Sequence, residues 1–422
     1  MITSVPYFKA SLVEPVLETL PLDCLEGWVL KSDFSLSHNT NRFFTTIGYS
    51  NIDSGKSIIL YDQNEIGFLF TAILPSNINP LDSIVFPNLK FEPGNNPYYQ
   101  LSPTVQKTYS NFTAVHGGSP FSLSAFDPYI TQNIYMLLHT EQSNSFLHKK
   151  NLNSVSYVDE SFHELSQATN LESFTLRDLF AISLIDCCVH IDLRSCLCPY
   201  LLIIYFDIHD IPSEPTSYYS IHSIINRLSF AGIKLQNTWR FRSISHFAEY
   251  DGSCLHSIEG SSFINQKVLG ISVHTQGREV SSWQQPLIHY PVHYFDLLYC
   301  INGASISVLV SVNIGPGARN EPELFPSYIS QNPNNRITDY LTDIALVHSS
   351  FQSEEGGRFY HRKNLHSLFS TNTTSINLPL PDGHNVFWID VRDLHHLLVT
   401  SHYCSIELRS TLYLLFSYLF TL

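Results

Sequence analysis

The chain has 422 residues, of which 44% are hydrophobic and 14% are charged, and its formal net charge is -14. This length predicts two or three domains, and the hydrophobic fraction supports well-filled cores. The acidic balance argues against duplex nucleic acid as a partner, because phosphate binding needs a basic surface.

In chain order, short apolar runs at 57–61 and 67–74 predict β-strands. Thr175 followed by helical apolar spacing predicts a capped helix, and 207–217 is the predicted linker. Residues 304–312 alternate as a half-buried strand does, and Asp390 predicts a second capped helix. The order of elements predicts an α+β fold in which each half begins with strands and ends in helices.

The eight cysteines include no Cys-x-x-Cys pair, and most lie in apolar stretches. We expect reduced, buried thiols in a cytoplasmic protein, with disulfides or zinc as the alternative. The chain starts without a basic segment and an apolar core, so no signal peptide is expected. Its longest apolar runs, 197–206 and 412–422, are too short to cross a bilayer, so no membrane partner is expected.

The sequence repeats itself with a period of about half its length. The segment 140–154 returns at 353–367, with Glu141, His148 and Asn151 among the identical positions. Further echoes follow in the same order along the chain, including an Arg-Asp-Leu run and an Arg-Ser pair. A period this long predicts two tandem copies of one domain, at 1–210 and 211–422, because solenoid repeats are far shorter.

Two segments carry the side chains that could bind a ligand. The stretch from 91 to 118 is rich in Asn, Gln, Ser and Thr, which suit a sugar or a base, and His116 precedes a Gly-Gly pair. The stretch from 353 to 363 combines two carboxylates with the densest basic cluster of the chain, which could hold a pyrophosphate. An ordinary surface loop and a solvated charged hairpin are the alternatives.

Several familiar sites are missing from the sequence. No Gly-x-Gly-x-x-Gly or phosphate-binding P-loop occurs, and no Gly-x-Ser-x-Gly elbow occurs. The closest histidine groupings, 289 with 293 and 395 with 396, lack a third ligand, so no metal is predicted.

The motifs together resemble those of the nucleoside-diphosphate 4-keto-6-deoxyhexose 2,3-dehydratases of deoxysugar biosynthesis. The matching runs are Glu-Pro-Gly-Asn at 92–95, Gln-Leu-Ser-Pro-Thr-Val-Gln at 100–106, Ser-Asn at 110–111, His-Gly-Gly at 116–118, Arg-Glu-Val at 278–280, Trp-x-Gln-Pro-Leu at 283–287 and Ser-Glu-Glu-Gly-Gly-Arg-Phe-Tyr at 353–360. The resemblance extends from Trp28 to Arg409.

This resemblance implies a tandem pair of Nudix-like domains in a protein that forms dimers. It also implies that the substrate is a dTDP-linked 4-keto-6-deoxy sugar and that no cofactor is needed. A downstream 3-ketoreductase would be the functional partner. The chain lacks the Glu-rich metal helix of Nudix hydrolases, which argues against pyrophosphate hydrolysis. Each half keeps one signature motif well, and its other motif has drifted. Compared with the family, the first half has Ser143 and Ser145 in place of Gly and Arg, and the second half has Leu324-Phe325-Pro326-Ser327 in place of Pro-Thr-Val-Gln. We expect the first half to hold the active site.

The reaction needs a base, an acid and a donor for the enolate oxygen. His116 and Glu141 are the predicted base and acid, in either order. Gln106 and Asn111 could bind the sugar, and Lys150 or Arg194 could face the pyrophosphate. The full set of predicted substrate-binding residues is Gln63, Asn95, Gln106, Asn111, Lys150, Arg194, Arg278, Trp283, Gln285, Glu354, Glu355, Arg358, Arg362 and Lys363.

Two other functions remain open on the sequence alone. One is a non-catalytic protein that binds a nucleotide sugar, which the drifted motifs favour. The other is an isomerase or epimerase of the same ketosugar, because it would use the same enolate without losing water.

Overall fold

The structure is a computed structural model. It describes residues 16–38, 45–50, 56–61, 66–75, 81, 84–85, 88–90, 100–102, 105–108, 130–140, 146–147, 150–158, 173–212, 240–242, 244–246, 248–257, 266–274, 282–303, 305–313, 322–354, 359–375, 385–400 and 403–422. Within these residues strands dominate, and the longest helices close each half, so the structure mixes strands and helices.

The strands of the first half are β1 (Val16–Leu20), β2 (Trp28–Leu30), β3 (Leu36–His38), β4 (Thr45–Ser50), β5 (Lys56–Tyr61), β6 (Ile66–Pro75), β7 (Ile84–Val85), β8 (Asn88–Lys90), β9 (Gln100–Ser102), β10 (Val105–Thr108), β11 (Ile130–Thr140), β12 (Phe146–Leu147), β13 (Lys150–Val158) and β14 (Phe174–Thr175). Its helices are α1 (Leu176–Ser183) and α2 (Ile191–Ile208), and a 3-10 turn covers Leu22–Cys24.

The strands of the second half are β15 (Arg240–Arg242), β16 (Ala248–Tyr250), β17 (Leu255–Ser257), β18 (Lys267–His274), β19 (Ser282–His289), β20 (Tyr294–Asn302), β21 (Ser305–Asn313), β22 (Glu323–Pro326), β23 (Tyr328–Ser330), β24 (Ala345–Ser353), β25 (Lys363–Thr371) and β26 (Asn385–Asp390). Its helices are α3 (Val391–Thr400) and α4 (Ile406–Thr421), with 3-10 turns at Ile244–His246 and Ile337–Asp339.

The two central sheets share one arrangement of three strands. In the first half β13 pairs antiparallel with β11 and parallel with β6. In the second half β25 pairs antiparallel with β24 and parallel with β20. The hairpins are also in the same register, because Thr140 faces Lys150 as Ser353 faces Lys363. These correspondences have the same spacing as the sequence repeat.

The halves exchange strands and share a core. Strand β1 pairs with β18 of the second half, and β15 pairs with β4 of the first half. One hydrophobic cluster includes Leu193 and Leu197 of α2 together with Leu408 and Leu412 of α4. The sequence suggested a separate core for each half, whereas the two carboxyl-terminal helices bury their apolar side chains against each other.

Local sequence explains where the helices begin. Thr175 accepts the backbone N–H of Asp178 at 3.1 Å and caps α1, as the sequence predicts. The apolar runs at 197–206 and 412–422 form the bodies of α2 and α4. No helix in the described residues is long and apolar enough to cross a membrane. Helix α2 continues to Ile208, so the start of the predicted linker is helical.

All eight cysteines are free thiols, which excludes the disulfide alternative in this structure. Four of them, at 196, 198, 300 and 404, are buried as expected. The prediction of burial is wrong for the other four: Cys24 is exposed, and Cys187, Cys188 and Cys254 are partly exposed. These four lie in turns or next to strand ends, where the chain is too close to solvent to cover them.

We expect Gly270→Ala to destabilise the strand exchange between β1 and β18. Gly270 faces Leu20 in this pairing, and a Cβ atom would lie 2.3 Å from the Leu20 carbonyl oxygen. Because backbone atoms cannot move aside as a side chain can, the expected loss is about 2–3 kcal/mol of unfolding free energy. Urea denaturation measures it, with exposed Lys267→Ala on the same strand as the control. Equal midpoints for the two variants would contradict the predicted clash.

Candidate active site

Helices α2 and α4 begin alike and present an arginine at the same place. His190 caps α2 and Ser405 caps α4, each accepting a backbone N–H with its side chain. The backbone N–H of Arg194 donates to His190 at 3.1 Å, and that of Arg409 donates to Ser405 at 3.0 Å. Both arginines are completely buried. A buried guanidinium needs partners for its five N–H donors, so each must be built into a polar site.

Arg194 reaches from the first half into the second. Its Nη1 donates to Oε1 of Gln352 at 2.7 Å, and its Nη2 donates to the carbonyl oxygen of Ser353 at 2.6 Å. Gln352 is held in turn by the carbonyl oxygen of Ser183, to which its Nε2 donates at 3.1 Å. The end of strand β24 is therefore fixed by helices α1 and α2 of the other half.

The preserved polar segment of the first half meets the preserved glutamate segment of the second. The hydroxyl of Ser353 donates to Oε1 of Gln100 at 2.8 Å, and both side chains are buried. Gln100 is placed by its neighbour Leu101, whose backbone bonds to Cys188 and His190 just before α2. One motif is preserved in each half, and the described parts of the two motifs therefore lie next to each other.

Glu354 follows Ser353 and is almost completely buried. Its Oε1 accepts a hydrogen bond from Nδ2 of Asn364 at 2.6 Å. Its backbone N–H donates to the carbonyl oxygen of Arg362 at 3.1 Å, next to the Ser353–Lys363 pair of β24 and β25. Asn364 is fixed from the other side, because its Oδ1 accepts the backbone N–H of His293 at 3.1 Å. The carboxyl group is consequently held in one place by two strands.

Burial raises the pKa of Glu354 to about 7. The negative charge of Glu407 contributes to this rise. The guanidinium groups of Arg362 and Arg194 and the hydrogen bond from Asn364 act in the opposite direction and limit it. Because these effects oppose each other, the pKa of the carboxyl group lies near neutral pH. A carboxyl group in this range can both accept and return a proton at physiological pH.

Two buried histidines close to Arg362 and Arg194 are neutral. Burial and the charge of Arg194 lower the pKa of His366 well below its usual value. Burial and the charge of Arg362 lower the pKa of His293 to about 3. The hydroxyl of Thr411 donates to the carbonyl oxygen of Glu407 at 2.7 Å, so at 2.8 Å it accepts from Nδ1 of His366. His366 therefore carries its proton on Nδ1 and offers Nε2 as an acceptor.

Arg362 and Glu407 complete the group. The guanidinium of Arg362 lies over the rings of Tyr290 at 4.5 Å and Phe359 at 4.7 Å, which orients it while burying its stem. Burial raises the pKa of Glu407. We use the name buried polar cluster for the following set: Gln100, Arg194, Gln352, Ser353, Glu354, Arg362, Asn364, His366 and Glu407.

Several polar atoms in or next to the cluster have no hydrogen-bond partner among the described residues. They are Nε of Arg194, Nε2 of His293, Nε2 of His366 and Oε2 of Glu407. Buried polar atoms in folded proteins are nearly always bonded. Buried donors and acceptors without partners in the same region are suited to a polar ligand, which would form hydrogen bonds with them on binding.

The predicted site residues fall into three groups. Arg194, Glu354 and Arg362 belong to the buried polar cluster. Other predicted residues lie on strands: Gln106 on β10, Lys150 on β13, and Trp283 and Gln285 on β19, while Lys363 starts β25 with an exposed side chain. The remaining predicted residues lie outside the described residues: His116, Glu141, Gln63, Asn95, Asn111, Arg278, Glu355 and Arg358.

The prediction missed Gln352, Asn364, His366 and Glu407 as site residues. The repeat already marked two of them, because Asn364 recurs as Asn151 and Glu407 corresponds to an acid in the first copy. They lie on a strand or at a helix start in hydrophobic surroundings, where single residues look structural. All four belong to the second half, where the pairing of β24 with β25 and the hydrogen bond between His366 and Thr411 of α4 bring them together.

A buried carboxyl group with a pKa near neutral pH, flanked by arginines and an amide donor, is the kind of group that transfers protons in enzymes acting on polar substrates. The sequence model of the family described as NDP-hexose 2,3-dehydratase matches residues 10–199 and 236–415. The chain belongs to this family, which confirms the predicted family and the predicted class of enzyme, a dehydratase.

Three curated relatives are similar over nearly their whole length. Each is named dTDP-4-dehydro-6-deoxy-alpha-D-glucopyranose 2,3-dehydratase. The relative from Saccharopolyspora spinosa is 27% identical, covering 93% of this chain and 86% of its own. The relative from Streptomyces violaceoruber is 26% identical, covering 93% and 91%. The relative from Amycolatopsis orientalis is 25% identical, covering 94% and 85%.

Proposed function

We propose that this chain removes water across C2–C3 of a dTDP-4-keto-6-deoxyhexose and that Glu354 is its proton-transferring group. The names of the relatives support this substrate. The observation that carries the role of Glu354 is its burial at the meeting point of the two preserved motifs, with a pKa of about 7. The product is a 3,4-diketo-2,6-dideoxy sugar.

The chemistry needs a base that accepts the C3 proton and an acid that gives a proton to the leaving hydroxyl, and one group can serve as both. The C3 proton is acidic because C3 is adjacent to the C4 ketone, and its removal gives an enolate. The C2–O bond then breaks, and the leaving hydroxyl takes up a proton to depart as water. The remaining C2–C3 enol ketonises. Glu354 takes the C3 proton as a carboxylate and can return it to the leaving oxygen, so the protons balance without a redox step.

The active site is composite in this proposal. Gln100 and Arg194 of the first half position Ser353 and the adjoining Glu354 of the second half. This differs from the expectation that the first half alone is catalytic, and it explains why each half could lose one motif. His116 and Glu141 lie outside the described residues and stay predictions for the complementary acid or base.

The direct test is to incubate the purified protein with dTDP-4-keto-6-deoxyglucose and follow the mass of the nucleotide sugar. The unstable diketo product is trapped by chemical reduction. Loss of one water that depends on the protein is the expected result. An isomerase or epimerase would leave the mass unchanged while rearranging the sugar, and a binding protein would leave the sugar intact.

We expect kcat/KM to fall as the pH drops through about 7. The ionised form of Glu354 is the base, and protonation below its pKa of about 7 removes it. Glu407→Gln should move this acid limb to lower pH, because the charge of Glu407 raises the pKa of Glu354. Initial rates across the neutral range measure both profiles. An acid limb that stays in place in Glu407→Gln would speak against Glu354 as the titrating group.

The same proposal includes a duplicated architecture, with one Nudix-like domain at 1–210 and a second at 211–422. Two copies of the chain would form a homodimer, and the protein would act in the cytoplasm. The matching hairpin registers and helix caps support the duplication. Eight free thiols fit a reducing compartment. A 3-ketoreductase would consume the reactive product. Light scattering of the purified protein measures the oligomeric state.

A further inference from the structure

Within the described part of the chain, one group of three metal-ligand side chains is close enough to share an ion. Asp251, Cys254 and His256 each offer a ligand atom, and these atoms all lie within 4.8 Å of one another. We propose that this group is a binding site for Zn²⁺ or another thiophilic divalent cation. It is separate from the dehydration chemistry, which uses none of these side chains.

The site is built on a short hairpin. Strands β16 and β17 pair with Tyr250 facing Leu255, so the turn between them has only four residues. The backbone N–H of Asp251 donates to the carbonyl oxygen of Cys254 at 3.2 Å. Gly252 adopts a φ of 90°, which L side chains rarely adopt, and this allows the tight turn. All three candidate ligands are therefore fixed within six residues of chain.

The two carboxylate oxygens of Asp251 have different surroundings, because one accepts backbone hydrogen bonds and the other faces the remaining candidate ligands. Its Oδ1 accepts the backbone N–H groups of Ser253 and Cys254, both at 2.8 Å. These hydrogen bonds lower the pKa of Asp251 and hold it ionised. Its Oδ2 faces the other two ligands, at 3.1 Å from Nε2 of His256 and 3.8 Å from Sγ of Cys254.

These separations match a tetrahedral ion. Zn²⁺ binds oxygen, nitrogen and sulfur at about 2.0–2.3 Å, which places neighbouring ligand atoms roughly 3.3–3.7 Å apart. The observed 3.1 and 3.8 Å lie just outside that range on either side. Sγ of Cys254 lies 3.5 Å from the other ring nitrogen of His256, Nδ1, so the side chains of Cys254 and His256 must rotate to present one nitrogen and the sulfur to the same ion. One ligand each from a carboxylate, a thiol and an imidazole suits Zn²⁺ rather than Mg²⁺ or Ca²⁺, which prefer oxygen alone. Water would fill the fourth position.

Anchoring and access also favour binding. Ala248 and Leu255 are fully buried in a core cluster, and the carbonyl oxygen of Ser253 accepts the backbone N–H of Leu22 at 3.1 Å. The side chains of His256 and Asp251 are 34% and 43% exposed, so an ion can reach them. Binding of a cation to the Cys254 sulfur would release the thiol proton.

Titration of the full-length protein with Co²⁺ tests the site. We expect a sulfur-to-cobalt charge-transfer band in the near ultraviolet and the strong visible bands of four-coordinate Co²⁺, both lost on adding Zn²⁺. Cys254→Ser should abolish the charge-transfer band, and His256→Gln should weaken binding by at least about 100-fold, more than outer-sphere changes do. Cys24→Ser, which removes an exposed thiol elsewhere, should keep the spectrum.

A second readout is thermal unfolding, because a ligand bound only to the folded state raises its stability. Zn²⁺ should raise the melting temperature of the wild type and of Cys24→Ser but not of Cys254→Ser. A Co²⁺ spectrum without the thiolate band, or one that survives Cys254→Ser, would overturn the proposal and leave an Asp251–His256 ion pair on a hairpin.

Discussion

Replacing Glu354 with glutamine is expected to lower kcat by about 10²–10⁴-fold, the usual contribution of a positioned general base or acid. The amide keeps the shape of the side chain and an oxygen that can accept the hydrogen bond from Asn364. It cannot accept the C3 proton, so binding of the nucleotide sugar should survive while turnover is lost. Reduction trapping with mass detection measures turnover, and calorimetry measures binding.

The same substitution should not destabilise the protein. The pKa of Glu354 is about 7 in the folded state, against a usual value of 4.5. The folded state therefore holds this proton more tightly, and stability from this group falls as the pH rises from about 4.5 to about 7. Above that range its ionised form costs on the order of 3 kcal/mol. Glutamine removes that cost, so at alkaline pH the variant should unfold no earlier than the wild type.

The matched control is Glu249→Gln, which makes the same change at an exposed position on β16. It should leave turnover and unfolding unchanged. If Glu354→Gln retained wild-type turnover, Glu354 would be a structural carboxyl and the base would have to be sought among the predicted residues His116 and Glu141. Loss of both turnover and folding would instead indicate that the ionised form holds the site together.

Much of this arrangement could be read from the sequence. The repeat located the segments that form the equivalent hairpins, capping residues and apolar spacing predicted α1 and α3, and the motifs identified the family. These features depend on local sequence patterns. Arg194, Glu354 and Arg362, which were among the predicted site residues, lie in the buried polar cluster.

What the sequence could not give was the partnership between halves. Gln100 and Ser353 are 253 positions apart, and their contact lies next to the hydrogen bonds that Arg194 of α2 makes to Gln352 and Ser353. The pKa of Glu354 is equally invisible in sequence, because burial and four neighbours from three segments set it. Asp251, Cys254 and His256 escaped notice for another reason. Their spacing matches no common zinc motif, and only the turn geometry brings them together.

Replacing Arg194 with methionine is expected to lower the unfolding free energy by about 3–5 kcal/mol and to move the acid limb of kcat/KM to higher pH. The stability loss follows because Oε1 of Gln352 and the carbonyl oxygen of Ser353 lose their charged donors in a fully buried place. The pH shift follows because the charge of Arg194 lowers the pKa of Glu354. Urea unfolding and pH–rate profiles measure the two effects.

Arg409→Met provides the matched control in the other half. Arg409 is equally buried at the equivalent helix position, and its Nε donates to the hydroxyl of Ser195 at 2.7 Å. Its loss should destabilise the protein comparably, but it is not among the groups that set the pKa of Glu354. The acid limb should therefore stay where it is. A limb that moves equally in both variants would mean that loosened packing, not the charge of Arg194, controls the carboxyl, and the composite site would lose its main electrostatic support.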